Sequence, residues 1–550
     1  MQLHPTRSTF HIAVAGAALV ALGATARLAP LVAFGGAMIL AVAVGRAFAL
    51  VAVTRLRAAG FEMVWTSTQR VVRAARGGEV ELEAELRNRG IDEVRGVAIR
   101  PIASSMLEAS VEPTIVDLPP GGRVRVDVRI KARRVGRWGV HGLALEVRGT
   151  PAGGEGLYEV PLLFANPFGV EVLPRALHAM VTSPRGGRSR RASEMGRPAS
   201  FSGEGDELRE LREHVPGDAF KRIAWKASAR RGQLLVREME RDERDIVWLV
   251  LDASVELWAG ALSYAPLDDG VDEVAALAAR HLGRGDHVGL VVTASRLRTW
   301  IDPGGGPAHA SRIASALASA ASMVDADRSE LDEVEVAQRV AEHARPLDPR
   351  GLADIAKGDL DALARRAETL RARAPFAPRL PFARTPREQM LRHYVAAFGI
   401  EIPPRVDGER EKTEAALALL LEKIATVKPR ASVVHVWAPP PGRASPMVQA
   451  IRNVRARRVE VRWSAPTFDA SVGRDHEVAR TASPKTVEQA VDEAVRVRAR
   501  ASRSRGEKLL RSLGVRCIPL GARLLRERIH APAVDAAELP PPPPTRKGAA

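Results

Sequence analysis

Apolar residues follow three regimes along the chain. From Phe10 to Ala26 nearly every position is apolar, and a second run, Leu28 to Val53, is broken only by Arg46. Each run approaches the roughly 20 residues a helix needs to cross a bilayer. Arg27 and Pro30 lie between them and leave room for little more than a turn, so residues 10–53 read as a transmembrane helical hairpin. Gly16, Gly23, Gly35 and Gly36 supply small faces for close helix packing. Arg55 and Arg57 follow directly. The positive-inside rule then places residues 1–9 and the body of the chain in the cytoplasm, at the inner membrane. Arg46 is close enough to that end to snorkel. A second reading takes the first run as a cleaved signal peptide, from Arg7, the apolar stretch and Ala24 to Ala26. The second run anchors the chain in either case.

The next regime has a period of two. Glu79 to Gly90 alternates apolar and charged residues and ends on an Asn/Gly turn, and "GGRVRVDVRIKA" and "VHGLALEVRG" repeat the pattern. Strands without intervening helices over 60–175 predict a small antiparallel β-sandwich. A basic, Gly/Ser-rich linker occupies 183–202. Beyond it, continuous apolar strands ("DIVWLVLDAS", "HVGLVVTAS", "SVVHVWA", "VEVRWSA") alternate with amphipathic helices. That alternation predicts a doubly wound α/β domain in two parts, 246–325 and 413–525. Residues 326–412 interrupt it with a charged, Ala-rich, helical insertion. Residues 526–550, with Pro540 to Pro544, read as a stiff disordered tail.

Composition adds limits. A chain of 550 residues needs several domains. The formal net charge of +17 raises nucleic acid as a partner, but the basic residues are interleaved with acids and no aromatic stacking platform accompanies them. The charge therefore fits a positive-inside surface near anionic lipid, with no nucleic acid. The single cysteine, Cys517, lies in the apolar run "VRCIPL" and reads as buried and inert. No Gly-x-x-x-x-Gly-Lys-Ser/Thr, Gly-x-Ser-x-Gly or His-Glu-x-x-His occurs, and His214, His281 and His287 have surface or loop readings. No catalytic residues and no small-molecule substrate are assigned.

The most distinctive stretch is 203–245. Pro216-Gly217-Asp218 is a turn, and Asp218 is placed to cap a helix that buries Ile223 and Trp225 and ends at Gly232. "QLLVREM" returns as a strand. Arg212, Pro216, Gly217, Asp218, Arg222, Trp225, Ser228 and Arg230 are the candidate docking residues; the charged ones otherwise read as structural ion pairs.

This stretch resembles the bacterial domain-of-unknown-function 58 family. The resemblance rests on Gly203/Gly205, Arg212, Pro216-Gly217-Asp218, Arg222, Ile223, Trp225, Ser228-Ala229-Arg230 and Val236-Arg237-Glu238, and continues through "LDAS" and "GRGDHVGLVV". Two N-terminal membrane helices and a β-rich region also fit. That region ends in a family Asp-Pro-Phe-Gly, here Asn166-Pro167-Phe168-Gly169. The resemblance covers 1–325 well and 413–465 weakly. It implies an α/β domain like that of von Willebrand factor A, a non-enzymatic scaffold role, and a MoxR-type AAA+ ATPase as partner. Such domains often hold Mg²⁺ at the carboxyl end of a strand. The matching residues here are Asp252, Ser254 and Thr413, but Glu256 replaces a serine and Trp437-Ala438-Pro439 offers no carboxylate at the third loop. The expectation is a degenerate site without metal; the alternative is a Mg²⁺-dependent binding module.

Overall fold

The computed structural model describes residues 3–519 apart from 92, 148–156, 183–196, 244, 259–264, 323–330, 379, 381–382, 404–409 and 467–486. The Pro-rich tail expected at 526–550 and most of the expected linker lie outside the described residues.

After a two-residue strand, β1 (His4–Pro5), come α1 (Arg7–Thr25) and α2 (Ala29–Ala59). Both are long and apolar enough to cross a membrane. Arg27 makes the turn with a left-handed φ of 54°. Gly16, Gly23 and Gly35 sit where the helices meet; a Cβ on Gly35 would lie 2.6 Å from the Gly16 carbonyl oxygen. Gly36, expected to share that role, faces open space, because it is turned about 100° from Gly35 on the helix. The last part of α2 does not stand apart from the body. Ala49 and Val53 are buried in the core of the β-rich region, and the Tyr158 hydroxyl donates to the Val42 carbonyl at 3.2 Å.

That region is two packed sheets. One holds β2 (Phe61–Trp65), β4 (Glu79–Asn88), β8 (Arg123–Ala132) and β6 (Leu107–Glu112), in that order; the other holds β1, β10 (Tyr158–Leu173), β9 (Gly136–Val147), β5 (Val94–Ala103) and β7 (Ile115–Leu118). Strict alternation in β8 turns Val126, Val128, Ile130 and Ala132 inward, while Asp127, Arg129 and Lys131 between them face solvent. The pairing is antiparallel except that β3 (Val71–Ala75) runs parallel to the end of β10. Asn166-Pro167-Phe168-Gly169 marks that change of partner. The β9–β10 register slips between Leu163 and Phe168, as expected where proline removes a ladder donor.

After α3 (Arg175–Thr182), β11 (Arg197–Glu213), α4 (Trp225–Arg231) and β12 (Leu235–Glu243) make a separate two-stranded arm. Residues 197–202, expected in the linker, belong to β11. The α/β domain follows: β13 (Ile246–Asp252), α5 (Pro266–Gly283), β14 (His287–Thr293), β15 (Leu297–Gly304) and α6 (Gly306–Ala321). It resumes with α11 (Arg410–Thr426), β16 (Val433–Trp437), α12 (Met447–Ala456), β17 (Glu460–Ala465), α13 (Val487–Ser512) and β18 (Arg516–Pro519). Between the halves lie α7 (Glu333–Leu347), α8 (Pro349–Ala353), α9 (Leu360–Leu370) and α10 (Pro386–Phe398).

The α/β strands lie in the order β15-β14-β13-β16-β17-β18, all parallel save β15. Alternate residues of β13 face opposite layers. Val247, Leu249 and Leu251 meet α5 and α6, while Trp248 and Val250 meet α11 and α12. Both faces are covered, which is why these strands read as unbroken apolar runs. Helices α7 to α10 have a core of their own around Tyr394, Phe398, Leu391 and Val340. They rest on the sandwich, where a Cβ on Gly169 would meet the Phe376 ring at 2.9 Å. Cys517, expected to be buried, is half-buried on β18, and burial pushes its thiol up. β18 is the edge strand of the sheet, which leaves the thiol incompletely covered.

Charged contacts join the sandwich to the α/β domain. Arg134 and Asp268, both almost fully buried, pair at 2.7 Å, and the Arg134 guanidinium lies 4.6 Å from the Trp258 ring centre. Arg76 pairs with Asp272, and Arg137 donates to Ser315 at 2.7 Å.

Candidate functional site

The arm brings the docking candidates together. Leu211, Arg212 and Glu213 of β11 face Arg237, Val236 and Leu235 of β12. Between the strands, Pro216 and Gly217 form the turn, with Gly217 at a φ of 108° that favours glycine. Asp218 does not cap the following helix. Its two carboxylate oxygens accept both Arg212 terminal nitrogens, at 2.6 and 2.8 Å, and the Val215 N–H at 2.9 Å. The Arg212 hydrogen bonds, then that N–H, hold Asp218 down at about 2. This pair closes the turn.

The expected single helix is two pieces. Phe220–Arg222 is a 3-10 turn, Ile223 is extended, and α4 starts only at Trp225. Ile223 is buried and bridges to Val236. The break turns Trp225 outward, 60% exposed, where a continuous helix would have buried it. Ser228 is buried: its hydroxyl donates to the Ala224 carbonyl at 3.0 Å and accepts the Leu235 N–H at 2.9 Å. It ties α4 to β12 and is not a contact residue.

What the arm presents outward is apolar and cationic. Phe220, 74% exposed, and Trp225 share this short stretch with exposed Val215, Leu234 and Leu211. Around them Lys221, Lys226, Arg230, Arg231 and Arg237 are exposed. None of these five makes an ion pair with a described residue. The sandwich arginines differ, pairing with Glu81, Glu83, Glu85 and Glu108 of neighbouring strands. Phe220 was not among the sequence candidates. Its exposure depends on the break at Ile223.

The metal candidates are placed differently. Asp252 ends β13 with no exposed surface, and its Oδ1 accepts the Ser254 N–H at 2.9 Å. Its Oδ2 accepts Arg410 Nη1 at 2.9 Å. Arg410 opens α11, one turn before the buried Thr413. A guanidinium thus stands on the carboxylate of the candidate metal site. The side chain of Glu256 lies outside the described residues. No group of three or more His, Cys, Asp or Glu side chains suited to a metal occurs among the described residues. Of the histidines, His281 is no surface group: it pairs at 2.7 Å with the buried Asp286.

The family described as "Protein of unknown function DUF58" matches residues 210–368. That segment begins inside the arm and carries every docking candidate. Residues 210–368 belong to the DUF58 family. The DUF58 match also runs through α7 and into α9, which the sequence reading had set aside as an insertion, and stops short of 413. No curated protein matches the chain. Among solved structures, S-layer protein SbsC domains 4 and 5 align at 16% identity and a TM-score of 0.12, over 20% of this chain and 50% of that one. The cupredoxin domain of amoB from Nitrosocaldus yellowstonii aligns at 19% and 0.12, over 17% and 56%. The ASH/PapD-like domain of human CEP192 aligns at 13% and 0.15, over 22% and 84%. The chain spans about half the length of the first two, and such low scores carry no argument.

Proposed function

We propose that this DUF58 chain is a membrane-anchored, non-enzymatic interaction protein whose arm docks a cytoplasmic partner, a MoxR-type AAA+ ATPase. The ATPase comes from the family resemblance. The observation that carries the docking reading is the exposed Phe220 and Trp225 within a rim of exposed cations. Solvent-exposed aromatics beside arginine are the usual anchors of protein interfaces, and a single-sign rim speeds encounter with an acidic face. The strand order, with one antiparallel edge, supports a von Willebrand factor A-like α/β domain behind the arm. The body meets the start of α1 and the end of α2 together, near Arg7 and Arg46, while Arg27 lies at the opposite turn. That asymmetry favours a cytoplasmic body.

The test is binding of the purified ATPase to the full chain in detergent. Trp225→Ala and Lys226→Glu are expected to weaken it about tenfold or more. Undiminished binding by both removes the arm from the interface. A Mg²⁺-dependent module using Asp252, Ser254 and Thr413 is the competing reading, and the Arg410 contact weighs against it.

A further inference from the structure

In open parallel sheets, ligands settle outside the carboxyl ends of the strands, at the point where chain order reverses. Here that point lies between β13 and β16: the chain builds outward through β14 and β15 on one side, and through β17 and β18 on the other. The crevice is where a ligand or metal would be sought, and the chain fills it with its own side chain. Arg410 Nη1 donates to Asp252 Oδ2 at 2.9 Å, Nη2 donates to the Pro439 carbonyl at 3.1 Å, and Nε donates to Glu414 at 3.1 Å. Three separated stretches therefore meet on one guanidinium: the end of β13, the loop after β16 and the first turn of α11. Ser254 Oγ, buried beside them, has no hydrogen-bond partner among the described residues.

A carboxylate with no solvent exposure is strongly disfavoured unless a cation pairs with it. A guanidinium, planar and always charged, meets that need with directional hydrogen bonds of its own. We propose that Arg410 is the resident cation of this crevice, so that the loops at the carboxyl end of the sheet are held together without a divalent ion. Arg410 is then a positioning residue that fixes the return from the helical unit into the α/β domain. Of the three metal-ligand candidates, Asp252 is the one that receives that arginine. This inference is independent of what docks on the arm.

The test is thermal unfolding of the full chain in detergent, with EDTA or millimolar Mn²⁺, for wild type, Arg410→Met, Asp252→Asn and the double variant. The wild-type midpoint should be the same with and without Mn²⁺. Arg410→Met should lower it by about 5 °C or more, and adding Asp252→Asn should recover most of that loss, because the unpaired carboxylate is gone. Additive losses in the double variant, or a wild-type midpoint that rises with Mn²⁺ and no longer does so in Asp252→Asn, would overturn the assignment. If Arg410→Met does not fold, Asp252→Asn alone and the Mn²⁺ comparison on wild type still decide between the two cations.

Discussion

Trp225 and Ser228 sit three residues apart in one short helix and do opposite work. Ser228 is buried and bonded at both ends, so Ser228→Ala should destabilise the arm by about 1–2 kcal/mol, read as faster hydrogen exchange in β12. Trp225→Ala should leave arm stability within about 0.5 kcal/mol, since the ring touches little of the fold, while weakening partner binding. Sequence could name both residues as candidates but could not sort them. The sorting depends on the extended Ile223, and a run of good helix formers hides that break. Arg410 was missed for a related reason: a lone arginine at the head of a helix has no pattern of its own, and its role appears only when β13 and β16 lie side by side. At the sandwich interface, burial pushes Asp269 up to about 6 against the pull of Arg76. A carboxyl raised in the folded state contributes stability that is complete below its unfolded value near 4 and is lost as pH rises through 6. Asp269→Asn should therefore raise stability by roughly 1–2 kcal/mol at pH 7.5 and change nothing near pH 3.5. Equal stabilisation at both pH values would show that ionisation is not the cause.

The helical unit α7 to α10 meets the sandwich through buried histidines. The rings of His141 and His343 lie 5.3 Å apart edge to face, and His343 Nδ1 is 3.0 Å from the Tyr394 hydroxyl. Burial holds His141 at about 4 and His343 well below its ordinary value. Both are neutral when packed, and the separated state takes protons that the packed state refuses. The contact is thus fully stable above pH 6.5 and loses up to about 3 kcal/mol as pH falls toward 4. Hydrogen exchange in α10 should accelerate at pH 5 relative to pH 7.5, and His141→Phe should reduce the difference; a pH-independent α10 contradicts this. Individual strands were legible wherever one face meets solvent, as in β4 and β8, because alternation shows in the residues themselves. The parallel β3–β10 pair and the seating of the helical unit on Gly169 were not, since neither leaves a local pattern. The unit looked like an insertion because it splits the α/β alternation, although it carries its own core.

On the scale of the whole chain, a sandwich, the arm and an α/β domain split by the helical unit follow an apolar hairpin. The second helix of the hairpin runs on into the sandwich core through Ala49 and Val53. The apolar hairpin and the sandwich are therefore packed directly together, with only Gly60 between α2 and β2. The apolar hairpin and the α/β alternation were plain in the sequence; the cationic, aromatic face of the arm was not. The direct test of the docking account is site-specific photocrosslinking in reconstituted membranes with the purified ATPase. A photoreactive residue would be placed at 220, 225, 334 or 419, all positions with exposed apolar side chains. The account predicts crosslinks from 220 and 225, suppressed by high salt, and none from 334 or 419. Crosslinks from 334 or 419 with none from the arm would contradict it.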